Sequence, residues 1–111
     1  MLSITVAIPV FNAERHIQKA LLSISSQTFK DYELLIIDNA STDNTLNLVS
    51  QFQKRNPQLN MRVVENQENK GLGASKNTAI QQAHGKYLFF MDSDDYIEEF
   101  MYELLLKSIK E

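Results

Sequence analysis

Four short apolar runs alternate with amphipathic segments along the 111 residues. Residues 4–10, 32–37, 61–64 and 87–91 read as strands. The second and fourth are nearly unbroken in apolar side chains, the pattern of strands covered on both faces in a parallel sheet. Between them, Ile17, Ala20, Leu21 and Ile24 recur at helical spacing and define one buried stripe. Leu46, Val49 and Phe52 define a second, with Ser41, Thr42 and Asp43 offering oxygens to cap its first turn. A third helix is expected over residues 74–84, with Gly85 as its left-handed stop. A fourth stripe is formed by Ile97, Met101, Leu104 and Leu105. Asn56-Pro57 breaks the chain after the second helix, and Asn69-Lys70-Gly71 forms a turn before the third.

The order β-α-β-α-β-α-β-α predicts one α/β domain over residues 1–111. Its sheet is expected to be open and mostly parallel, with right-handed crossovers and helices on both faces. In such sheets ligands bind beyond the carboxyl ends of the strands, at the point where strand order reverses. Function is therefore sought just after Val10, Ile37, Val64 and Met91.

Composition narrows the classes. Hydrophobic residues make up 43% of the chain, enough to fill a core. Eleven basic against 14 acidic residues leave a net charge of −3, which argues against nucleic acid as a partner. With no cysteine, disulfides, thiolate metal sites and cysteine nucleophiles are excluded. No apolar run approaches the roughly 20 residues of a membrane span, and Met1-Leu2-Ser3-Ile4 lacks the basic start of a signal peptide. The expected compartment is the cytoplasm, including the cytoplasmic face of a membrane.

The strand ends carry the candidate chemistry. Asp92-Ser93-Asp94-Asp95 follows the fourth strand. Three carboxylates there repel one another and lose hydration, and a Mg²⁺ or Mn²⁺ shared with a diphosphate would offset both. A helix start, with acidic caps, is the other reading, and Asp95 fits it best. Asp38 ends the second strand at the sheet rim, where an ionised carboxylate can accept an N–H from a ligand ring. The first strand exits through Pro9-Val10-Phe11-Asn12. Phe11 is either a flat face for a base or a core side chain, and Asn12 either a turn residue or a ligand contact. Gly71 and Gly73 open the third helix and point to positive φ or close backbone approach. Lys76, one turn in, either compensates Asp38 or a phosphate, or is a solvated lysine. His16 and His84 are isolated and read as surface or structural residues.

Taken together, Ile8-Pro9-Val10-Phe11-Asn12, Gln27-Thr28-Phe29, Ile37-Asp38-Asn39-Ala40-Ser41-Thr42-Asp43, Asn69-Lys70-Gly71, Ser75-Lys76-Asn77 and Asp92-Ser93-Asp94-Asp95 resemble one family. It is the family 2 inverting glycosyltransferases, in their N-terminal half, with the GT-A fold. The resemblance covers essentially the whole chain. It implies a Rossmann-like nucleotide-binding half and a nucleotide-diphospho-sugar donor, with a UDP-sugar as the expectation. By that likeness, residues 9–12 line the nucleoside pocket with Phe11 near the base, and Asp38 reads the base. Lys76 lies near Asp38 and the phosphates, Asp92 and Ser93 approach the ribose or sugar, and Asp94 with Asp92 binds Mg²⁺ or Mn²⁺. The implied activity is transfer of a sugar to an acceptor hydroxyl, as in cell-surface polysaccharide synthesis.

The chain departs from the family in three ways. It has Asp38-Asn39-Ala40-Ser41 where Asp-Asp-Gly-Ser is usual, so one carboxylate is gone and Ala40 replaces a glycine. Phe11 stands for a common tyrosine. The chain also stops one helix after Asp95, short of the half in which the family carries its acceptor site and general base, so no catalytic residue is assigned. An uncovered sheet edge would favour self-association. Two other classes fit the element order: a receiver-like module with Asp38 as phosphoacceptor, and a non-catalytic assembly domain.

Overall fold

The structure is a computed structural model that describes residues 4–28 and 30–93. Phe29, Asp94, Asp95 and the fourth amphipathic stripe lie outside the described residues. The elements are β1 (Ile4–Val10), α1 (Ile17–Ser25), β2 (Tyr32–Asp38), α2 (Thr45–Arg55), β3 (Met61–Glu65), α3 (Leu72–Gln82) and β4 (Tyr87–Phe90). All strand pairs are parallel, in the order β3-β2-β1-β4. The chain steps outward from β1 through β2 to β3, then crosses back to lay β4 on the far side of β1. A receiver-type sheet would instead place β3 beside β1. The order therefore supports the nucleotide-binding arrangement and removes the receiver reading.

Each strand of the central pair is apolar on both faces, and the two faces meet different helices. Ile4, Val6, Ile8 and Val10 of β1, with Tyr32, Leu34 and Ile36 of β2, pack on Ile17, Ala20, Leu21 and Ile24 of α1 and Val49 of α2. Ala7, Leu35 and Ile37 pack on Ala79 of α3. The α1 stripe is the one expected from periodicity. In α2 the buried positions are Thr45 and Val49, with Leu48 and Phe52 packed beside them, so Leu46 lies off the inner face. β2 includes Asp38 as its last residue, and α3 begins and ends two residues earlier than expected.

Pairing between β1 and β4 stops early. The register ends at Ala7↔Phe90, and Ala7 O accepts the Met91 N–H at 3.0 Å. The next bond on that side of β1 would need an N–H from Pro9, which has none. Residues 8–10 continue paired to β2, as far as Val10↔Asp38. β1 and β4 thus part at the carboxyl edge, where strand order reverses.

At the opposite edge a buried charge is fully accommodated. Glu33 in β2 is 1% exposed. Its Oε2 accepts the Thr5 hydroxyl at 2.7 Å and the His84 N–H at 2.6 Å; its Oε1 accepts Arg62 Nε at 3.1 Å. Burial pushes the carboxyl up, but these hydrogen bonds and the Arg62 charge outweigh it and hold it below the usual carboxylate range. Thr5 Oγ1 in turn accepts the Gly85 N–H at 2.8 Å, so the cluster fastens the α3–β4 turn to the sheet.

Gly85 is not the left-handed stop of α3. The helix closes at Ala83 in extended geometry, with φ −67° and ψ 134°. Glycine is needed at position 85 for closeness: a Cβ there would stand 2.5 Å from Ile4 C and from Thr5 N. Positive φ belongs to Gly71, at +89°, where the chain turns into α3.

Gly85→Ala should therefore cost about 2 kcal/mol, because the clash is with backbone rather than a flexible side chain. Thermal melting should show a fall of roughly 10 °C. A second expectation concerns acid. A carboxyl whose folded pKa is depressed contributes stability above its unfolded pKa and loses it as pH falls through the folded value. The gap in denaturant midpoint between the parent and Glu33→Gln should be widest near neutrality and close below about pH 4.5. A gap independent of pH would show that the Glu33 charge is not what holds the cluster.

Candidate functional site

The carboxyl edge brings three turns together. Val10, Asp38 and Glu65 are side by side in the register of β1, β2 and β3. Asn39 N–H donates to Val10 O at 2.9 Å, and Asn66 N–H to Asp38 O at 2.8 Å, extending the ladder one step past the strands. Val10 itself is in the core, so it shapes this edge from beneath. Phe11, the next residue, is 48% exposed. The core reading of Phe11 is thereby removed; its ring is available at the rim.

Asp38 is 1% exposed at the end of an apolar strand. Its Oδ2 accepts the Ser41 N–H at 3.2 Å. Its Oδ1 is buried and accepts no hydrogen bond from the described residues. A buried carboxylate oxygen left in this condition is costly, of order 1–3 kcal/mol. Such an orphan marks a position where a donor from outside the chain would fit.

The turns after β1 and β2 are fastened to each other. Asn12 N–H donates to Ser41 Oγ at 3.0 Å, and Asn12 Oδ1 accepts the Thr42 N–H at 2.8 Å and the Asp43 N–H at 3.3 Å. Ala13 N–H donates to Thr45 Oγ1 at 2.8 Å, and Asn44 N–H to Glu14 Oε2 at 3.1 Å. Asp43 accepts the Thr45 N–H at 3.0 Å and the Glu14 N–H at 3.3 Å. Burial pushes its carboxyl up, but the bonds from the Thr45 hydroxyl and N–H and from Glu14 outweigh it and hold it below the usual range. Asp43 thus takes the first N–H of α2, as expected, while Asn12 and Glu14 hold the N–H groups of Thr42, Asp43 and Asn44 just before the helix. Ser41 and Thr42 do not cap it from their own side chains as expected.

On the α3 side, buried Asn39 donates from Nδ2 to Ser75 Oγ and accepts from Asn66 Nδ2 at 2.9 Å. This bridge ties the β2 and β3 ends to α3. Sequence reasoning did not find it, although a signal was present: Ser75 is polar yet stands four residues before Ala79 on the buried stripe of α3. Lys76, the next residue, points elsewhere. Its ammonium lies 5.5 Å from the centroid of the Phe90 ring, and among the described residues it forms no ion pair with Asp38. Pro9 is half-buried, Asp92 is exposed just past β4, Ser93 is half-buried, and Asp94 lies outside the described residues.

The fold and this rim define a nucleotide-binding α/β class of protein: a parallel sheet reversing beside β1, with an aromatic face, a buried acceptor and carboxylates at its carboxyl edge. Comparison with known proteins gives the family. The model described as glycosyl transferase family 2 matches residues 5–111, and the chain belongs to that family. Glycosyltransferase GlyA of Streptococcus pneumoniae is 38% identical over 108 residues, covering 97% of this chain and 15% of that protein. The crystal structure of Staphylococcus aureus TarS 1–349 in complex with UDP superposes with a TM-score of 0.90 at 33% identity, covering 98% of this chain and 32% of the other. The mannosyltransferase PcManGT of Pyrobaculum calidifontis, in complex with GDP-Man and Mn²⁺, gives 0.81 at 30% identity, covering 84% and 28%. The chain therefore spans under a third of each of these relatives, and its fold is that of their GT-A nucleotide-binding part.

Ala40 occupies the left-handed region at φ 62°. A Cβ is disfavoured there by roughly 1–2 kcal/mol. Ala40→Gly should leave stability level or raise it by up to about 1 kcal/mol, as relief of strain offsets the added freedom of the unfolded chain. The same exchange at Ala79, in the interior of α3, should cost about 1 kcal/mol or more. Chemical denaturation of the pair of variants reads the contrast directly.

Proposed function

We propose that this chain binds the nucleoside diphosphate of a sugar donor. As part of a family 2 glycosyltransferase it serves transfer of the sugar to an acceptor hydroxyl in cell-surface polysaccharide synthesis. The observation that carries the reading is Asp38, whose buried Oδ1 accepts no hydrogen bond from the described residues. An imide N–H of a base is the matching donor, and the exposed Phe11 ring offers that base a flat face. Uracil is the base we assign. It has the imide N–H, and the UDP complex of TarS, at 33% identity, supports the choice.

Lys76 supplies charge for the phosphates. Its contact with Phe90 is worth only about 0.5–1 kcal/mol at an exposed site and is readily exchanged for a phosphate. Asp92, exposed past the end of β4, provides the hard carboxylate oxygens that Mg²⁺ or Mn²⁺ takes, so the donor chemistry fits. Asp92 and Asp94 would hold the ion, which when bound supplies neutralisation of the charge developing on the leaving diphosphate. The Mn²⁺ in the PcManGT complex supports this assignment. We read the transfer as an inverting, in-line displacement and assign its general base to no residue of this chain. The absence of cysteine suits a reducing cytoplasm, where we place the reaction.

Calorimetry with UDP, with and without Mg²⁺ or Mn²⁺, tests the reading. Binding should strengthen with metal, and CDP, whose ring nitrogen at that position is an acceptor, should bind at least about tenfold more weakly. Asp38→Ala should lose about tenfold in UDP affinity while keeping the metal response, and Asp94→Ala should lose the metal response. No binding at millimolar UDP, or binding indifferent to Asp38→Ala, would overturn it.

A further inference from the structure

We infer that Asn12 is a positioning residue of this site, acting through its side-chain carbonyl and not through contact with the ligand. The inference rests on the nucleotide reading for its functional consequence, but the clasp it describes can be measured without ligand. Asn12 lies between Phe11, the aromatic wall, and the turn that follows Asp38, the acceptor wall. Backbone N–H groups can only donate, so the atom facing Thr42 N and Asp43 N must be Oδ1 and not Nδ2. The same residue donates its own N–H to Ser41 Oγ. Ser41 N–H in turn donates to Asp38 Oδ2. A continuous path of two hydrogen bonds therefore runs from the Asn12 N–H through Ser41 to one oxygen of the carboxylate, leaving the other oxygen open.

The backbone explains why asparagine stands here. Asn12 has φ 49°, in the left-handed region, which asparagine and aspartate tolerate better than other non-glycine residues. Only Asn and Asp combine that tolerance with a short acceptor. Glycine would keep the backbone and lose the acceptor; alanine would lose both. The clasp holds two turns some 30 positions apart in sequence, next to the Ala13 N–H to Thr45 Oγ1 and Asn44 N–H to Glu14 Oε2 bonds at the same rim.

Three variants separate the roles. Asn12→Asp keeps the acceptor and removes the amide donor, Asn12→Gly keeps the backbone alone, and Asn12→Ala keeps neither. Amide hydrogen exchange at Thr42 and Asp43 and UDP affinity are measured for each. Asn12→Asp should retain slow exchange and bind UDP within about threefold of the parent; Asn12→Gly and Asn12→Ala should exchange fast at those two amides and bind about tenfold more weakly. Should Asn12→Ala fail to fold, protection would be lost along β1 and β2 as well, and Asn12→Gly then decides. Slow exchange with affinity as poor as that of Asn12→Gly in the Asp variant would mean that the amide touches the ligand, and the inference falls. Unchanged exchange in Asn12→Gly overturns it equally. If the parent binds no UDP, the functional reading fails, while exchange still decides whether the clasp exists.

Discussion

A carboxylate cannot rest at the end of an apolar strand unless its oxygens find donors, and the rim of this protein is built around one that is half satisfied. β2 carries two buried acids, and they are treated in opposite ways. Glu33, near its start, takes the Thr5 hydroxyl, the His84 N–H and Arg62 on its two oxygens. Asp38, at its end, has the Ser41 N–H on one oxygen and no described partner on the other. The energetic logic separates their roles. A saturated buried charge fixes geometry, here the docking of the α3–β4 turn on β1. An unsatisfied one raises the free energy of the unliganded protein and returns that difference on binding a donor.

Sheet topology decides where that difference can be used. Because β4 lies on the far side of β1 from β2, the α1 and α2 crossovers and the α3 crossover cover opposite faces, and the carboxyl edge beside β1 is left open between them. Pro9 sharpens the opening. Continuing the register would set Pro9 opposite Asp92, but the missing N–H ends the ladder first. Asp92 therefore lies past the end of β4 instead of being held in a strand.

Much of this architecture was legible in the sequence. Apolar runs located all four strands, and the spacing of Ile17, Ala20, Leu21 and Ile24 named the inner face of α1 without error. The acids at strand ends were visible for the same reason: a charge interrupting an apolar run has few structural uses. What could not be read was whatever depends on long-range approach. Gly85 looked like a helix stop because a glycine after a helix has two causes, positive φ and close backbone contact, and only the distance to Ile4 and Thr5 distinguishes them. Caps for α2 were sought beside it, in Ser41, Thr42 and Asp43; Asp43 does accept the Thr45 N–H, but the N–H groups just before the helix are taken by Asn12 and Glu14, about 30 residues earlier. For Lys76 charge left two readings, a partner of Asp38 or a phosphate and a solvated lysine; the side chain is exposed, and the Phe90 ring that it covers belongs to a strand on the other side of the sheet reversal.

The departures from ordinary local preference are not scattered. Two non-glycine residues with positive φ, Asn12 and Ala40, a proline that cuts a ladder and a buried carboxylate oxygen without a described partner all fall on the carboxyl edge of β1 and β2. The opposite edge also holds a buried charge, Glu33, and among the described residues shows none of these features. If the rim were merely a poorly packed end of the sheet, its strain would be accompanied by loose turns. Instead the strained Asn12 is heavily hydrogen-bonded across the cleft, accepting from two backbone N–H groups, and Asp43, which faces it, accepts from two more. Strain that is over-determined by its surroundings persists where geometry must be held for something other than the fold itself. In this family member the strained turn at Asn12 follows an exposed aromatic ring and is bonded to the turn after a buried acceptor with no described partner.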